Sequence, residues 1–322
     1  MRLRFFREVP NFDFFRLQWA TLGFSGALVV LSLVAWVLIG LNFGIDFRGG
    51  TTIRTQSESA VDVGTYRQAM TPLELGDVTI TEVFDPTFAE NQHVAMIRIQ
   101  AQDGQESVTQ DTIDRIETAL RAVDDTISFP LVESVGPKVS GELIWTAVLA
   151  VGASLAAILF YIWLRFEWQF SVGAVAALAH DVIVTIGIFS VLQIRFDLAT
   201  IAALLTIIGY SINDTVVIFD RLRENLIKFK TTPLRDLMNL TANETLSRTL
   251  MTSGTTLLAL IAMLILGGDV IRGFTFAMIW GVIIGTYSSI FVASVILLRL
   301  GVKRDWDKTD NAAGTQFADI DA

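Results

Sequence analysis

Six apolar stretches dominate this chain, and each is long enough to cross a bilayer, which takes about 20 residues. They lie near Ala20–Leu41, Leu143–Leu164, Phe170–Leu192, Leu198–Phe219, Leu246–Leu266 and Phe274–Leu300. In hydrocarbon every backbone N–H and C=O must find its partner within the protein, so such stretches fold as helices. The expected fold is an α-helical polytopic membrane protein with six transmembrane helices. Only 18% of the residues are charged, against about a quarter in soluble domains. The first stretch follows Arg2, Arg4, Arg7 and Arg16, and Asn-Phe-Gly-Ile-Asp after Leu41 offers no small-x-small cleavage site. It reads as an uncleaved signal anchor.

Lysine and arginine in the short loops set the orientation. Residues 1–19 carry four, all arginine. The loop expected at 220–245 carries Arg221, Arg223, Lys228, Lys230 and Arg235, and the end of the chain carries Arg299, Lys303, Arg304 and Lys308. The opposite loops have one each, Arg195 and Arg272. Both termini are therefore expected in the cytoplasm. The insert 42–142 then lies outside. It holds seven Lys/Arg and 17 Asp/Glu, so the chain's whole net charge of −9 resides there. Acidity of this kind keeps an exposed domain soluble. The tail 301–322 is poor in apolar residues and is expected to be disordered.

Composition excludes several functions. A net charge of −9 gives no basic face for nucleic acid. With no Cys there are no disulfides or thiolate metal sites, and two His make a His-rich metal centre unlikely on count alone. No G-x-x-x-x-G-K-[ST] string occurs, so no P-loop ATPase is expected. No enzymatic motif and no bound cofactor are expected from these counts.

The insert alternates short strand and helix patterns. Ile45–Thr55 is β-rich around Gly49-Gly50, and Val61–Met70 is a short helix with Ser59 as its cap. Asp77–Phe84 and His93–Gln100 alternate as half-buried strands, the first broken by Pro86. Thr109–Val123 spaces Ile113, Ile116, Leu120 and Val123 as a helix, and Thr126–Val132 is a last strand closed by Pro130 and Pro137. The order βαββαβ predicts an α+β ferredoxin-like domain between helices 1 and 2.

Polar residues inside the spans are few. A charge in hydrocarbon costs several kcal/mol, so it faces a partner or a water-filled path. His180 and Asp181 lie near the middle of span three, and Asn213 and Asp214 toward the cytoplasmic end of span four. Thr206, Tyr210, Asn213 and Asp214 share one helical face. The apolar part of span five, Leu257–Leu266, is too short to cross, so its helix extends back through Thr256, Thr255, Thr252 and Arg248, again one face. Facing stripes with Asp214, Arg248 and hydroxyls between them have the chemistry of a proton path. Each of these residues also has a plain structural role: Asp as a protonated interhelical bond, His180 as a packing residue, Arg248 as a cation reaching the headgroups. Gly281, Gly285, Ser289 and Ala293 recur every four residues in span six, a pattern that reads as close helix packing.

At this point the sequence resembles the SecF family, the smaller membrane subunits of the SecD–SecF accessory complex of bacterial protein export. The resemblance covers nearly the whole chain. It is carried by Phe43-Gly-Ile-Asp-Phe-Arg-Gly-Gly-Thr51, Ser134-Val-Gly-Pro-Lys-Val-Ser140, Ala179-His-Asp-Val-Ile183, the run Ile208–Asn225 around Asn213-Asp214, and Arg248-Thr-Leu-Met-Thr-Ser-Gly-Thr-Thr256. It implies a branch of the resistance-nodulation-division exporters that uses the proton motive force to assist preprotein translocation through the Sec channel from the periplasmic side. The proton-path residues it implies are Asp214 in span four and Arg248 in span five, with Asp181 in a less settled role; Asn213, Tyr210 and Thr252 join the pathway by their faces. Implied partners are SecD, the SecYEG translocon, the translocating preprotein, YajC and YidC. Sodium drives some relatives; few oxygen ligands beside Asp214 favour protons here. The competing reading is a stand-alone exporter of a lipid or small molecule from the same superfamily, which would need a larger outer domain.

Overall fold

The computed structural model describes residues 10–83, 88–89, 91–100, 108–268 and 270–302. Pro86, the three first arginines and the tail expected to be disordered lie outside the described residues, apart from Gly301 and Val302.

After a short 3-10 turn, α1 (Gln18–Leu38) leads into β1 (Asn42–Phe43) and the single-turn α2 (Ile45–Arg48). The stretch read as a strand from Ile45 thus starts as a helical turn. Gly49 and Gly50, with φ of 73° and 132°, redirect the chain into β2 (Gly50–Ser57), a conformation that side chains with a Cβ disfavour. Next come α3 (Val63–Met70), β3 (Val78–Val83), β4 (His93–Gln100), α4 (Gln110–Arg121) and β5 (Ser128–Val135). Asp62, rather than Ser59, caps α3 by accepting the Gly64 N–H at 2.9 Å. Thr109 caps α4 through the Thr112 N–H.

The four strands run β3–β4–β2–β5, every neighbouring pair antiparallel. This is the strand order of a split βαβ unit. Ile53, Ile80, Ala95, Ile97 and Ile99 of the sheet pack with Tyr66 and Met70 of α3 and Ile116 and Leu120 of α4 into one core. The periodicity called for this, since alternate strand residues share a face. Pro130 sits within β5, not at its end. β5 is an edge strand, where a residue without an N–H is tolerated, and its pairing with β2 shifts register between Arg54 and Gln56.

The helical part continues with α5 (Pro137–Arg165), α6 (Trp168–Leu192), the two-residue β6 (Arg195–Phe196), α7 (Leu198–Lys228), α8 (Leu234–Leu266), α9 (Arg272–Ser288), a π-helical turn at Ser289–Ala293, and α10 (Ser294–Leu300). Six helical segments among the described residues are long and apolar enough to span a membrane. The loop expected at 220–245 is helical except at 229–233, because α7 and α8 project past the apolar zone. That projection is tied by ion pairs and polar bonds: Arg221 to Glu244 at 2.8 Å, Asn225 to Glu244 at 2.7 Å, and Arg235 to Asp13 at 2.9 Å.

Burial divides the spans. The most apolar windows of α6 and of the last span are 56% and 67% buried, those of α5 and α8 only 6% and 11%. The small-residue stripe of α9 does pack. A Cβ on Gly281 would stand 2.3 Å from Ile207, and one on Gly285 3.0 Å from Ser211, so α9 and α7 touch backbone to side chain.

The two parts are joined at the end of the bundle that carries the α/β domain. β1 pairs in parallel with β6, and the Gly44 N–H donates to the Phe196 carbonyl at 2.8 Å. Asp46 of α2 accepts the Leu198 N–H at 3.0 Å, at the first residue of α7. Phe43, Phe47, Phe189 and Phe196 pack together beneath this joint, edge to face except for the tilted Phe47–Phe196 pair.

Candidate functional site

Two carboxylates lie inside the bundle, in unlike surroundings. Asp181 of α6 is 1% exposed. Its Oδ1 stands 3.0 Å from His180 Nδ1, and its Oδ2 accepts from Ser211 Oγ of α7 at 2.7 Å and from Ser288 Oγ of α9 at 2.8 Å. Three helices therefore meet on one side chain. The His180 ring leans on Tyr287, with centroids 6.4 Å apart. The Tyr287 hydroxyl donates to the Thr21 carbonyl of α1 at 3.1 Å and lies 3.0 Å from Ser25 Oγ, which brings in a fourth helix. His180 Nε2 is buried without a hydrogen-bond partner among the described residues.

Asp214 lies one turn further along α7 from Ser211. It too is buried, at 4% exposed, yet its Oδ2 has no hydrogen-bond partner among the described residues. Among the described residues no ion pair within 4.0 Å reaches it either. An unpartnered buried carboxylate costs more than a satisfied one.

The expected stripes share this end of the bundle. Counted from the domain-side ends of their helices at 1.5 Å per residue, Asp214 is about 24 Å and Arg248 about 27 Å deep, so they lie at one level. Tyr210 reaches across to α8, its hydroxyl 3.4 Å from Thr256 Oγ1. Thr206, Thr252, Thr255 and Thr256 all donate to carbonyls of their own helix, four residues back. Each hydroxyl oxygen thus keeps a lone pair for another donor, while its proton is held on the backbone. Asn213, Arg248, Thr206 and Thr255 are exposed on the flank of the bundle. The stripe therefore lies open on one side of the bundle.

The structure brings together Asp214, Tyr210, Thr252 and Arg248 on neighbouring faces of α7 and α8. Asp181 belongs to a separate cluster, and its two oxygens are occupied without Asp214. Ser211 and Ser288, which hold Asp181, were not legible beforehand. Ser288 falls one place off the Gly281–Gly285–Ser289 stripe, and Ser211 is a small residue in an apolar run. Both are recognised only when α6, α7 and α9 are packed.

Fold and site define a multi-pass membrane protein with an α/β domain inserted after its first span and ionisable residues at the heart of the bundle. Residues 115–303 match the model for the C-terminal part of the protein export membrane proteins SecD/SecF, and residues 34–61 match that for the SecD/SecF GG motif. The chain is 64% identical to the protein translocase subunit SecF of Cereibacter sphaeroides, over 100% of this chain and 99% of that one. It is 63% identical to that of Rhodobacter capsulatus, over 96% and 95%, and 40% identical to that of Vibrio alginolyticus, over 90% of each. Among solved structures, SecDF from Thermus thermophilus, described as a translocon-associated membrane protein, superposes with a TM-score of 0.81 at 35% identity, covering 93% of this chain and 40% of that one. A super-membrane-facing form of SecDF gives 0.69 at 36% identity, with the same coverage. The chain therefore spans about 40% of the SecDF polypeptides it matches. The chain belongs to the SecF family of protein translocase subunits.

Proposed function

We propose that this chain is one half of a proton-driven accessory complex that assists preprotein translocation through the Sec channel, with SecD as its other half. The observation that carries the reading is Asp214: a buried carboxylate with one oxygen unpartnered, beside a polar stripe that lies open at membrane depth. Lipid against Arg248 and Asn213 would be costly, so a second bundle covers them. Together the two bundles enclose a path, along which trapped water and the Tyr210 hydroxyl hand protons to and from Asp214, the Thr252 oxygen accepting a hydrogen bond from that water. Arg248 attracts the ionised form and is long enough to move away when the proton arrives.

The joint with the α/β domain carries the motion. α7 holds Asp214 and begins at Leu198, whose N–H is bound by Asp46 beside the Gly49-Gly50 turn into β2. A shift of α7 therefore pulls directly on the sheet. One proton falling through 100 mV supplies about 2.3 kcal/mol, enough to bias a two-state packing by nearly fiftyfold. In this reading both termini are cytoplasmic, the membrane is the bacterial inner membrane, and the domain works on chains emerging from SecYEG; YajC and YidC are further partners. The driving ion is the proton, since one carboxylate and one amide offer few oxygens to cage sodium, and no cofactor is needed.

The test is preprotein export into inverted vesicles holding this chain, its partner and the translocon. Asp214→Asn keeps shape and removes titration. Expected is loss of the gradient-stimulated component to background, with assembly of the complex unchanged. Full stimulation in an assembled variant overturns the assignment.

A further inference from the structure

Gly285 and Thr286 are adjacent on α9 and touch different helices. A Cβ on Gly285 would stand 3.0 Å from Ser211 of α7, and Thr286 Oγ1 lies 2.7 Å from Ser253 Oγ of α8. Ser211 and Ser253 are therefore at one level, on the faces of α7 and α8 that meet α9. One turn further from the α/β domain, helical spacing brings Asp214 of α7, Thr249 of α8 and Ser289 of α9 onto the same faces. All three are buried, at 4%, 1% and 0% exposed. Helix rise agrees: from the domain-side end of its helix Thr249 is about 26 Å deep, against about 24 Å for Asp214.

Thr249 differs from the other threonines of its helix. Thr241, Thr245, Thr252, Thr255 and Thr256 each donate to the carbonyl four residues back, the ordinary partner of a helical threonine. Thr249 does not. Its Oγ1 is buried with no hydrogen-bond partner among the described residues, and the same holds for Asp214 Oδ2. A hydroxyl kept from both its own backbone and bulk solvent costs free energy unless something else binds it.

The two bare oxygens do not bond each other, so they stand further apart than a direct hydrogen bond. An ionised carboxylate only accepts, whereas a hydroxyl can donate. Ser289 donates to the Thr286 carbonyl at 3.0 Å, which leaves its oxygen as a further acceptor. One donor and two acceptors on three converging faces complement a single water molecule, and buried waters typically make about three hydrogen bonds. The charged side chains of adjoining turns have other surroundings. Arg248 is exposed on the flank, and Asp181 is held by Ser211 and Ser288.

Building on the proton reading of Asp214, we propose that a buried water is held between Asp214 Oδ2 and Thr249 Oγ1. Thr249 is then a positioning residue, and Asp214 exchanges its proton through this water toward the ends of α7 and α8 that lie away from the α/β domain. This arm of the path runs inside the chain, behind the open stripe. Thr249 donates to the water, and the water donates to ionised Asp214 and to Ser289. When protonated Asp214 releases its proton, the water oxygen takes it and passes one of its own protons to the next water outward. Thr249 keeps its hydrogen throughout.

The test uses the complete complex of this chain with its partner subunit. An electron cryomicroscopy map that shows ordered water should have density between Asp214 and Thr249 in the wild type. Thr249→Val keeps the shape of the side chain, removes the hydroxyl and should lose that density. Gradient-stimulated export into inverted vesicles with the translocon should fall about fivefold in Thr249→Val, the worth of one hydrogen bond. Thr249→Ser should keep both density and stimulation, which separates the hydroxyl from the packing of the methyl group. No density in the wild type, density that persists in Thr249→Val, or full stimulation in that variant overturns the proposal. If Thr249→Val does not assemble, the wild-type map and Thr249→Ser decide, and loss of density or stimulation in the serine variant overturns it. Asp214→Asn judges the proton reading separately. Stimulation lost in Asp214→Asn but intact in Thr249→Val overturns the water arm alone, whereas full stimulation in Asp214→Asn overturns both. Stimulation that follows a sodium gradient at constant pH would make the density a cation and also overturn both.

Discussion

Asp181 and Asp214 are both carboxylates buried in one bundle, 33 residues apart on adjacent helices, yet their surroundings are opposite. Asp181 is saturated by His180, Ser211 and Ser288 from three helices. Asp214 keeps an oxygen bare and borders an open polar stripe. The first binds helices together, and any change in its charge must disturb all three. The second can gain or lose a proton without breaking a bond. Ser211 and Asp214 lie three residues apart on α7, so the anchored point and the proposed proton site share one helix. If Asp214 carries the proton as proposed, anchorage at one turn lets a change at the next act as a lever.

The sharpest way to break this comparison is to remove each carboxylate. Asp181→Ala strands three donors in the core. Hydrogen bonds to a charged group are worth about 1.5–3 kcal/mol each, and relaxation recovers part of the loss, so a cost of about 3–5 kcal/mol is expected in reversible unfolding of the purified chain. Asp214→Ala breaks no hydrogen bond among the described residues and should leave stability equal or slightly higher while abolishing gradient-stimulated export. Equal destabilisation by both variants would erase the distinction.

Gly281→Val tests whether the anchored half tolerates change. Its new Cβ would meet Ile207, and overpacking of this kind costs about 1–3 kcal/mol, visible as a lowered melting temperature. Asp46→Ala addresses the lever itself. Loss of a capping bond costs about 1 kcal/mol, but coupling between gradient and export should fall well beyond what that small loss of stability explains. Unimpaired stimulation would mean that motion leaves α7 by another route.

The smallest effect is confined to the α/β domain. Hydrogen bonds from Ser57 and Thr126 hold Asp124 down to about 2, below the ordinary carboxylate value of 3.8. A depressed carboxylate stabilises the folded form above its unfolded value. That contribution is complete above about pH 4 and disappears as pH falls through about 2. Asp124 is largely solvated, so the effect is modest. Melting of the full chain between pH 2 and 4 should be slightly less steep in pH for Asp124→Asn than for the wild type, and unchanged melting behaviour would remove Asp124 from the balance.

Much of the architecture was legible in the residues alone. Six apolar runs required six helices, because lipid offers no other partner to the backbone. Alternation in 78–83 and 93–100 and the spacing of Ile113, Ile116 and Leu120 placed the strands and the second helix of the α/β domain. Spacing alone also put Tyr210, Asn213 and Asp214 on one face, and Thr252 and Arg248 on another, since a helix has a single period. Local chemistry was harder. Helical turn and strand compete at Ile45–Arg48, and Asp62 caps the helix in place of Ser59, a shift of three residues that periodicity does not register.

What the sequence determined by itself is therefore whatever depends on one element at a time: which segments are helices, which faces are polar, and where charge accumulates. Tertiary structure alone decided what depends on several elements at once. Ser211 and Ser288 find Asp181 only through the packing of α7 and α9 against α6, and Asp46 finds Leu198 across 152 positions of chain. Side-chain periodicity is local, whereas the satisfaction of a buried charge is set by neighbours that the chain brings from far away.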